Sequence, residues 1–481
     1  MTEDTALPRV AVIGAGAAGT LAAVQLLRQA DRHGLRCAVE LVDPAPAPGR
    51  GAAYRTHDPR HLLNVPAGRM GALPEDPEHF VRWLAARTGD RYAATDFVPR
   101  AVYGQYLGEL LVRTAQRCGR SARLVHHRDT VVDLDGGPTG PVLHLASGAR
   151  HRVDAAVLAL GPLPSDAAWA PAGLRSDARF VRDPWAAGAL ERIPDRGDVL
   201  LVGTGLTMAD VAVTLGRAGR TVHAVSRTGL LPERHRSHPL PPVDPPVLDG
   251  LHELAALRRA TLRHLAATRR ARGDWRPGLD GLRPVTAALW GRLSPVDRAR
   301  FLREDLRRWE VHRHRLAPAT AGRLDALRAA GRLTVRACEM VGARGADDGL
   351  RVRLSDGREL EVVAVVDCTG APLDPRTVPD PLLGGLLNRG TARPGPAGVG
   401  LDTAADGRLL PARDRAWAPP LWTLGAARRG NLLESTAIPE IRCQAADAAA
   451  ALLRSLPGWE RPAPTPRRSA VDRTTSLGPV R

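Results

Sequence analysis

The sequence contains no lysine: all 68 basic side chains in its 481 residues are arginine. The formal net charge of +17 would ordinarily point to nucleic acid or an anionic membrane. Here the arginines run along the whole chain and alternate with acids, without the basic face interleaved with aromatics that a nucleic-acid surface needs. The charge reads as a compositional bias, and neither nucleic acid nor membrane is expected as a partner. Cysteine is also scarce. Cys37, Cys118, Cys338, Cys368 and Cys443 are odd in number and far apart, which argues against a disulfide framework and fits a reducing compartment. No C-x-x-C occurs, so a redox-active dithiol is excluded. No G-x-S-x-G occurs, so a hydrolase nucleophile elbow has no candidate. The apolar run from Val10 to Leu27 follows "MTEDT", which carries acids in place of the positive flank of a signal peptide. A cytoplasmic protein with no membrane span is expected, and its length and 44% hydrophobic content suffice for two or three domains.

The first chemistry-bearing stretch explains that apolar run. "RVAVI" ends in Gly14-Ala15-Gly16-Ala17-Ala18-Gly19, a helical pattern follows, and a second strand, "CAVELVD", closes on Asp43. Strand, glycine turn, helix and acid-ended strand make the βαβ dinucleotide fingerprint. Gly14 permits the turn, Gly16 lets a pyrophosphate approach the backbone, and Gly19 lets helix and strand pack closely. Ala18 stands in the first turn of the helix, whose N-H groups and dipole favour phosphate. Asp43 can accept hydrogen bonds from ribose hydroxyls.

A second unit begins with "DVLLV" and Gly203-Thr204-Gly205-Leu206-Thr207-Met208. Met208 stands where a third glycine is usual, which predicts a slightly wider gap between helix and strand. Its following strand ends in Ser226 and Arg227 rather than an acid. Arg227 can pair with a 2'-phosphate through parallel N-H bonds, and Ser226 can add another, so NADPH is expected here in preference to NADH. The acid-ended unit suits FAD. Together they predict a hydride passing from nicotinamide to flavin.

Beyond these units, "GRGAAYRTHDPRHLLNVPAGRMG", "FVPRAVYGQYL", "SRTGLLPERH", "LRPVTAALW", "RRWEVHRHRLAP" and "LLESTAIPEIRCQA" resemble the bacterial FAD/NAD(P)-binding proteins of the YdhS-like family. That family includes flavin-dependent monooxygenases that turn aspartate into nitrosuccinate, and bacterial FAD-dependent urate hydroxylases. The resemblance runs from about Val10 to about Leu453. It implies an α/β fold of two Rossmann-like dinucleotide-binding domains, the glutathione-reductase-like flavoprotein architecture, and less directly an oxygenation. Apolar runs stopped at Gly161 and Gly370 mark the crossings between domains. They divide the chain into an FAD-binding part (1–164), an NAD(P)H-binding domain (165–371) with a helical insertion at about 239–330, a C-terminal FAD-binding return (372–457) and a disordered tail (458–481). In the return, Gly425 and Thr436 are expected near the flavin; Thr436 or Ser435 can cap the final helix, with Pro439 and Glu440 in its first turn.

In flavin oxygenation, reduced flavin and O2 form a C4a-hydroperoxide, while the protein positions the substrate and keeps water out. Tyr54 and Asn64 are the candidates for groups at the flavin edge; Asn64 can both donate and accept. His312 and His314 in "WEVHRHR" are two apart on a helix and point in different directions, so no metal is expected there. Arg313 and Arg315 are candidates for holding a carboxylate substrate or NADPH phosphates, against the alternative of a solvated structural helix. Three readings follow: an NADPH-dependent FAD monooxygenase acting with O2 on a small polar molecule, an NADPH:acceptor reductase serving a quinone or protein, and a non-catalytic flavin-binding redox sensor. The sequence favours the first and leaves substrate and oligomeric state open.

Overall fold

The structure, a computed structural model, describes residues 7–137, 140–346, 348–412, 419–456 and 459. The first sheet is built from β1 (Arg9–Ile13), β2 (Cys37–Val42), β3 (Ala122–His127), β7 (Ala155–Leu158) and β16 (Leu421–Thr423), all parallel, in the order β16-β7-β1-β2-β3. Between β3 and β7 the chain makes a small antiparallel sheet, β4 (Val131–Gly137), β5 (Gly140–Leu145) and β6 (Arg150–Arg152).

The second parallel sheet repeats the plan. It contains β8 (Phe180–Val181), β9 (Val199–Val202), β10 (Val222–Ser226), β11 (Leu333–Ala337) and β15 (Ala364–Asp367), in the order β11-β10-β9-β15-β8. Again an antiparallel trio, β12 (Met340–Ala346), β13 (Gly349–Leu354) and β14 (Glu359–Val362), intervenes before the last long strand. The short Val/Leu/Ala runs of β2, β7, β9 and β15 are buried at every residue. Such runs, without a polar alternation, are what a parallel sheet covered by helices on both faces requires.

Each glycine turn is pressed against the strand that returns beside it. A Cβ on Gly14, at φ 99°, would lie 2.5 Å from the Ala159 carbonyl oxygen, and one on Gly203, at φ 108°, would lie 2.3 Å from that of Cys368. In the first unit, Gly19 brings the helix Ala17–Arg32 down on the turn: its Cβ would fall 1.7 Å from the Gly14 oxygen. In the second, Met208 is fully buried in the core beneath the helix Leu206–Leu215.

The chain leaves the first sheet after Ala159, where Gly161 takes a left-handed φ of 69°, and returns after β15 through Gly370 at φ 87°. β16 then joins β7 in the first sheet, and the final helix, Ile438–Arg454, packs on Ala17–Arg32. The insertion comprises the helices Leu254–Arg272, Arg276–Gly281, Arg283–Arg292, Pro295–Glu304 and Leu306–Arg313. Trp275, Trp290 and Trp309 belong to its small apolar core, whereas Trp185 lies elsewhere, with its ring edge-on to His61 at 5.6 Å. The expected insertion of 239–330 is too long. Helix Pro318–Ala329 buries Ala321 and Leu324 in the second nucleotide core and leads directly into β11, so it is a crossover helix of that unit. The sequence could not separate it from the insertion because both have the same helical periodicity.

The expected disordered tail, 458–481, lies outside the described residues except for Trp459, whose ring meets His33 at 4.7 Å. Among the described residues no helix is long and apolar enough to cross a membrane. All five cysteines are free. Burial raises the Cys37 thiol to about 11 and lifts Cys368 further above its ordinary value, which leaves both unreactive.

The tight contact at Gly19 gives a direct test. Gly19→Ala forces helix and turn apart and should cost about 2 kcal/mol or more, read as a lower urea midpoint, together with loss of any bound flavin's visible absorbance on purification.

Candidate dinucleotide and substrate site

Both glycine turns stand at the carboxyl ends of their sheets, where an open α/β sheet binds ligands. Gly16 is the N-cap of Ala17–Arg32 and Gly205 that of Leu206–Leu215, and no side chain caps either helix. Two helix N-termini therefore present backbone N-H groups to an anion without competition from a capping hydroxyl or carboxylate. Beside Gly205 there is open space, while Gly16 faces the loop Gly49–Gly51: a Cβ on Gly51 would lie 2.8 Å from the Gly16 Cα. These are cradles of the shape a dinucleotide pyrophosphate needs. Gly425, at φ 72°, closes over the first of them beside Ala18 and donates its N-H to Gln444 Oε1 at 2.9 Å.

Asp43 follows β2 and accepts from the N-H groups of Ala15 at 2.6 Å and Ala45 at 2.7 Å. Each carboxylate oxygen keeps a further lone pair for a ribose hydroxyl. Ser226 ends β10, but its hydroxyl is engaged in the turn, bonded to Thr204 Oγ1 at 2.8 Å and accepting from the Gly229 N-H at 3.0 Å. Arg227 is exposed and, among the described residues, has no carboxylate partner.

Tyr54 packs its ring on Tyr103 at 4.9 Å, and burial lifts its phenol to about 12, so it remains a protonated donor. Asn64 is half-buried at a three-way junction. Its carbonyl receives His235 Nε2 at 3.0 Å from the second unit, and the His235 backbone N-H donates to Leu316 at the end of the insertion. Among the described residues the Asn64 amide makes no hydrogen bond.

Two expectations about the return and the insertion need correction. The N-cap of Ile438–Arg454 is Ala437, not Thr436 or Ser435; Thr436 is exposed just before it, and Ser435 Oγ is buried without a partner. Pro439 and Glu440 do sit in the first turn, and Glu440 holds Arg283 of the insertion through two bonds of 2.5 and 2.6 Å. Arg313 and Arg315 are not free to meet a substrate. Arg313 forms a bidentate pair with Glu434 at 2.7 and 2.9 Å, and Arg315, 3% exposed, pairs with Asp280. The Arg283–Glu440, Arg313–Glu434 and Arg429–Glu310 pairs and the Trp290 Nε1 bond to the Gly430 carbonyl fasten the insertion onto the C-terminal return, while Arg315–Asp280 braces the insertion itself. Local sequence gives no sign of which acid each arginine will find. His312 is exposed and bonds its own helix at Arg308, while His314 turns inward.

A second polar interface joins the two nucleotide units. Asp210, on the helix after Gly205, meets Arg100 of the first unit at 2.9 Å, and His61 Nε2 bonds Thr214 Oγ1 at 2.8 Å. The sequence reading missed these residues, and also Glu40, which gathers Arg9 at 2.5 Å and His127 and His151 at 3.4 Å. Arg9 already neutralises the Glu40 carboxylate, which makes this group an ion-pair knot behind β2. An open cleft of about 300 Å³, lined by Arg28, His79, Trp83 and Arg113, lies toward the carboxyl end of Ala17–Arg32, away from the glycine turns.

Residues 11–163 match a family model described as FAD-NAD(P)-binding. No curated protein matches the sequence. Solved structures match over nearly the whole chain. L-lysine 6-monooxygenase from Pseudomonas syringae is 18% identical with a TM-score of 0.62, covering 93% of this chain and 99% of that one. The reduced form of ornithine hydroxylase PvdA from Pseudomonas aeruginosa is 14% identical with a TM-score of 0.61, again over 93% and 99%. The Kutzneria sp. 744 ornithine N-hydroxylase KtzI, solved with reduced FAD, NADP+ and L-orn, is 16% identical with a TM-score of 0.57 over the same shares. The fold is that of two-dinucleotide-binding-domain flavoproteins.

The buried histidines at the junction make stability pH-dependent. Burial, reinforced by Arg315, lowers His235 to about 4, whereas an unfolded imidazole takes a proton near ~6.5. Its contribution is therefore complete above that value and is lost as pH falls, at about 1.4 kcal/mol per pH unit; His61 and His314, also lowered by burial, act in the same direction. Urea unfolding at pH 6.5 and 5 should show a marked fall in stability, smaller by about 2 kcal/mol in His235→Gln, which keeps a donor for Asn64 but does not titrate.

Proposed function

We propose that the protein is an FAD-dependent, NADPH-using monooxygenase that hydroxylates a small polar molecule with O2. The observation that carries the reading is the pair of uncapped glycine turns of the same build, one followed by Asp43 and the other by Arg227, which among the described residues has no carboxylate partner. Similarity in fold to lysine and ornithine hydroxylases supports oxygenation. The closer kinship with YdhS-like proteins, aspartate monooxygenases and urate hydroxylases rests on the motifs described above.

In this reading the FAD-binding part is 1–164 with 372–457, and 165–371 binds the nicotinamide nucleotide. Gly14, Gly16, Ala18 and Gly19 hold the FAD pyrophosphate, Asp43 its ribose, and Gly161, Gly370, Gly425 and Thr436 border the cofactor. Gly203, Gly205 and Leu206 hold the NADPH pyrophosphate, and Arg227, beside Ser226, takes the 2'-phosphate. Bound FAD supplies hydride acceptance and the activation of O2. The chain orients and shields. Tyr54 donates a hydrogen bond, Asn64 offers its unengaged amide to the reacting edge, and the insertion, clamped through Arg283, Arg313 and Trp290, keeps water out. Arg313 is part of that clamp, and Arg315 braces the insertion from within through Asp280.

Purified FAD-loaded protein should oxidise NADPH and, with the right member of a panel of amines, amino acids and purines, place one atom of 18O2 in the product. Rapid oxygen-independent reduction of quinones with no labelled product would favour a reductase instead. Arg227→Gln should raise KM for NADPH roughly 10-fold or more, the loss of one charge-assisted pair, while leaving KM for NADH within about twofold.

A further inference from the structure

The insertion reaches the second glycine turn through one side chain that the reading above leaves unused. Arg307, at the start of helix Leu306–Arg313, is partly buried. Its Nη2 donates to the Thr204 carbonyl at 3.1 Å, to Thr204 Oγ1 at 3.1 Å and to the Leu230 carbonyl at 2.6 Å. Thr204, 2% exposed, lies between Gly203 and Gly205, and its hydroxyl also donates to the Leu230 carbonyl at 2.7 Å. One nitrogen thus ties the insertion, the glycine turn and the loop after β10 together.

All three contacts come from Nη2. Among the described residues Nε and Nη1 make no hydrogen bond, and no carboxylate is bonded to this guanidinium. Burial lowers its affinity for the proton; Glu310, the acid that opposes this shift, is bonded to Arg429 at 2.6 Å. A partly buried cation satisfied only by neutral oxygens, with donors unused beside a phosphate-shaped turn, lacks an anion.

We propose that Arg307 completes the nicotinamide-nucleotide site by donating from Nε and Nη1 to the pyrophosphate, so that the bound dinucleotide bridges the second glycine turn and the helical insertion. This rests on the assignment of that turn to NAD(P)H. Arg307 and Arg227 then divide the recognition. Arg227 reads the 2'-phosphate and separates NADP+ from NAD+; Arg307 reads the pyrophosphate and serves both equally. The nucleotide also contributes to holding the insertion over the site, because its phosphates supply the counter-charge that Arg307 lacks.

The test uses the oxidised FAD-loaded enzyme and calorimetric titration with NADP+ and with NAD+. Arg307→Lys is the informative variant. An ammonium has three donors, enough for Thr204 O, Thr204 Oγ1 and Leu230 O, but no second edge. Its melting temperature and flavin content should match the parent, while Kd rises at least fivefold for NADP+ and NAD+ alike. Arg227→Gln should weaken NADP+ alone. An Arg307→Lys protein that binds both nucleotides within twofold of the parent, or that loses affinity for NADP+ only, overturns the proposal. If the parent binds neither nucleotide, the assignment of the turn itself fails, an outcome distinct from failure of the Arg307 contact. Arg307→Gln with a lowered melting temperature and unchanged affinity would reduce the residue to a structural tether and also overturn it.

Discussion

The architecture depends on how closely a glycine turn can approach the carbonyl of the strand returning beside it. At Gly14 and at Gly203 the nearest backbone oxygen lies where any side chain would begin, at 2.5 and 2.3 Å from an added Cβ. That contact sets the helix that follows at the carboxyl edge of its sheet with its N-terminus open. Without it the positive ends of both helices would lose their register with the carboxyl edge of the sheet. The duplication of strand order, of the antiparallel trio and of the glycine contact means that one packing solution is used twice. The two copies differ in the helix, Gly19 against Met208, and at the end of the second strand, Asp43 against Ser226 and Arg227.

Around this repeated frame the charged groups fall into two populations. Many arginines pair with acids at the surface, where exposed pairs contribute little. A smaller set is buried at joints. Arg100 with Asp210 links the nucleotide units, and Arg283 with Glu440 and Arg313 with Glu434 link the insertion to the return. A half-paired buried ion is costly, so these pairs act more as fixings of register than as sources of net stability. Neutral His235 and His314 occupy the same joints. Positions that fasten domains and insertion together are thus the ones most exposed to acid.

The glycine turns, their strands and the acid or arginine that ends each unit were legible in the sequence, because each depends on local spacing and on φ values that few residues other than glycine adopt. The limits of the insertion were not legible. Helix Pro318–Ala329 carries the same periodicity as its neighbours, and only the core it buries in, with Leu316 and Leu333, assigns it to the nucleotide unit.

Side-chain roles at the junction were decided by tertiary structure alone. "WEVHRHR" announces cations but not their partners. Arg313 and Arg315 are already taken by Glu434 and Asp280, more than a hundred residues and thirty-five residues away respectively, while Arg307 a few residues earlier keeps donors to spare. Glu40, His127 and His151 meet only because β2 and β3 are neighbours and the hairpin β5–β6 folds back on them. The sequence by itself determined two glycine turns, one unit ending in Asp43 and the other in Ser226 and Arg227, since backbone conformation and residue type are local. Which arginine faces a ligand and which faces an acid was decided by the fold, since pairing depends on where distant chain segments come to rest.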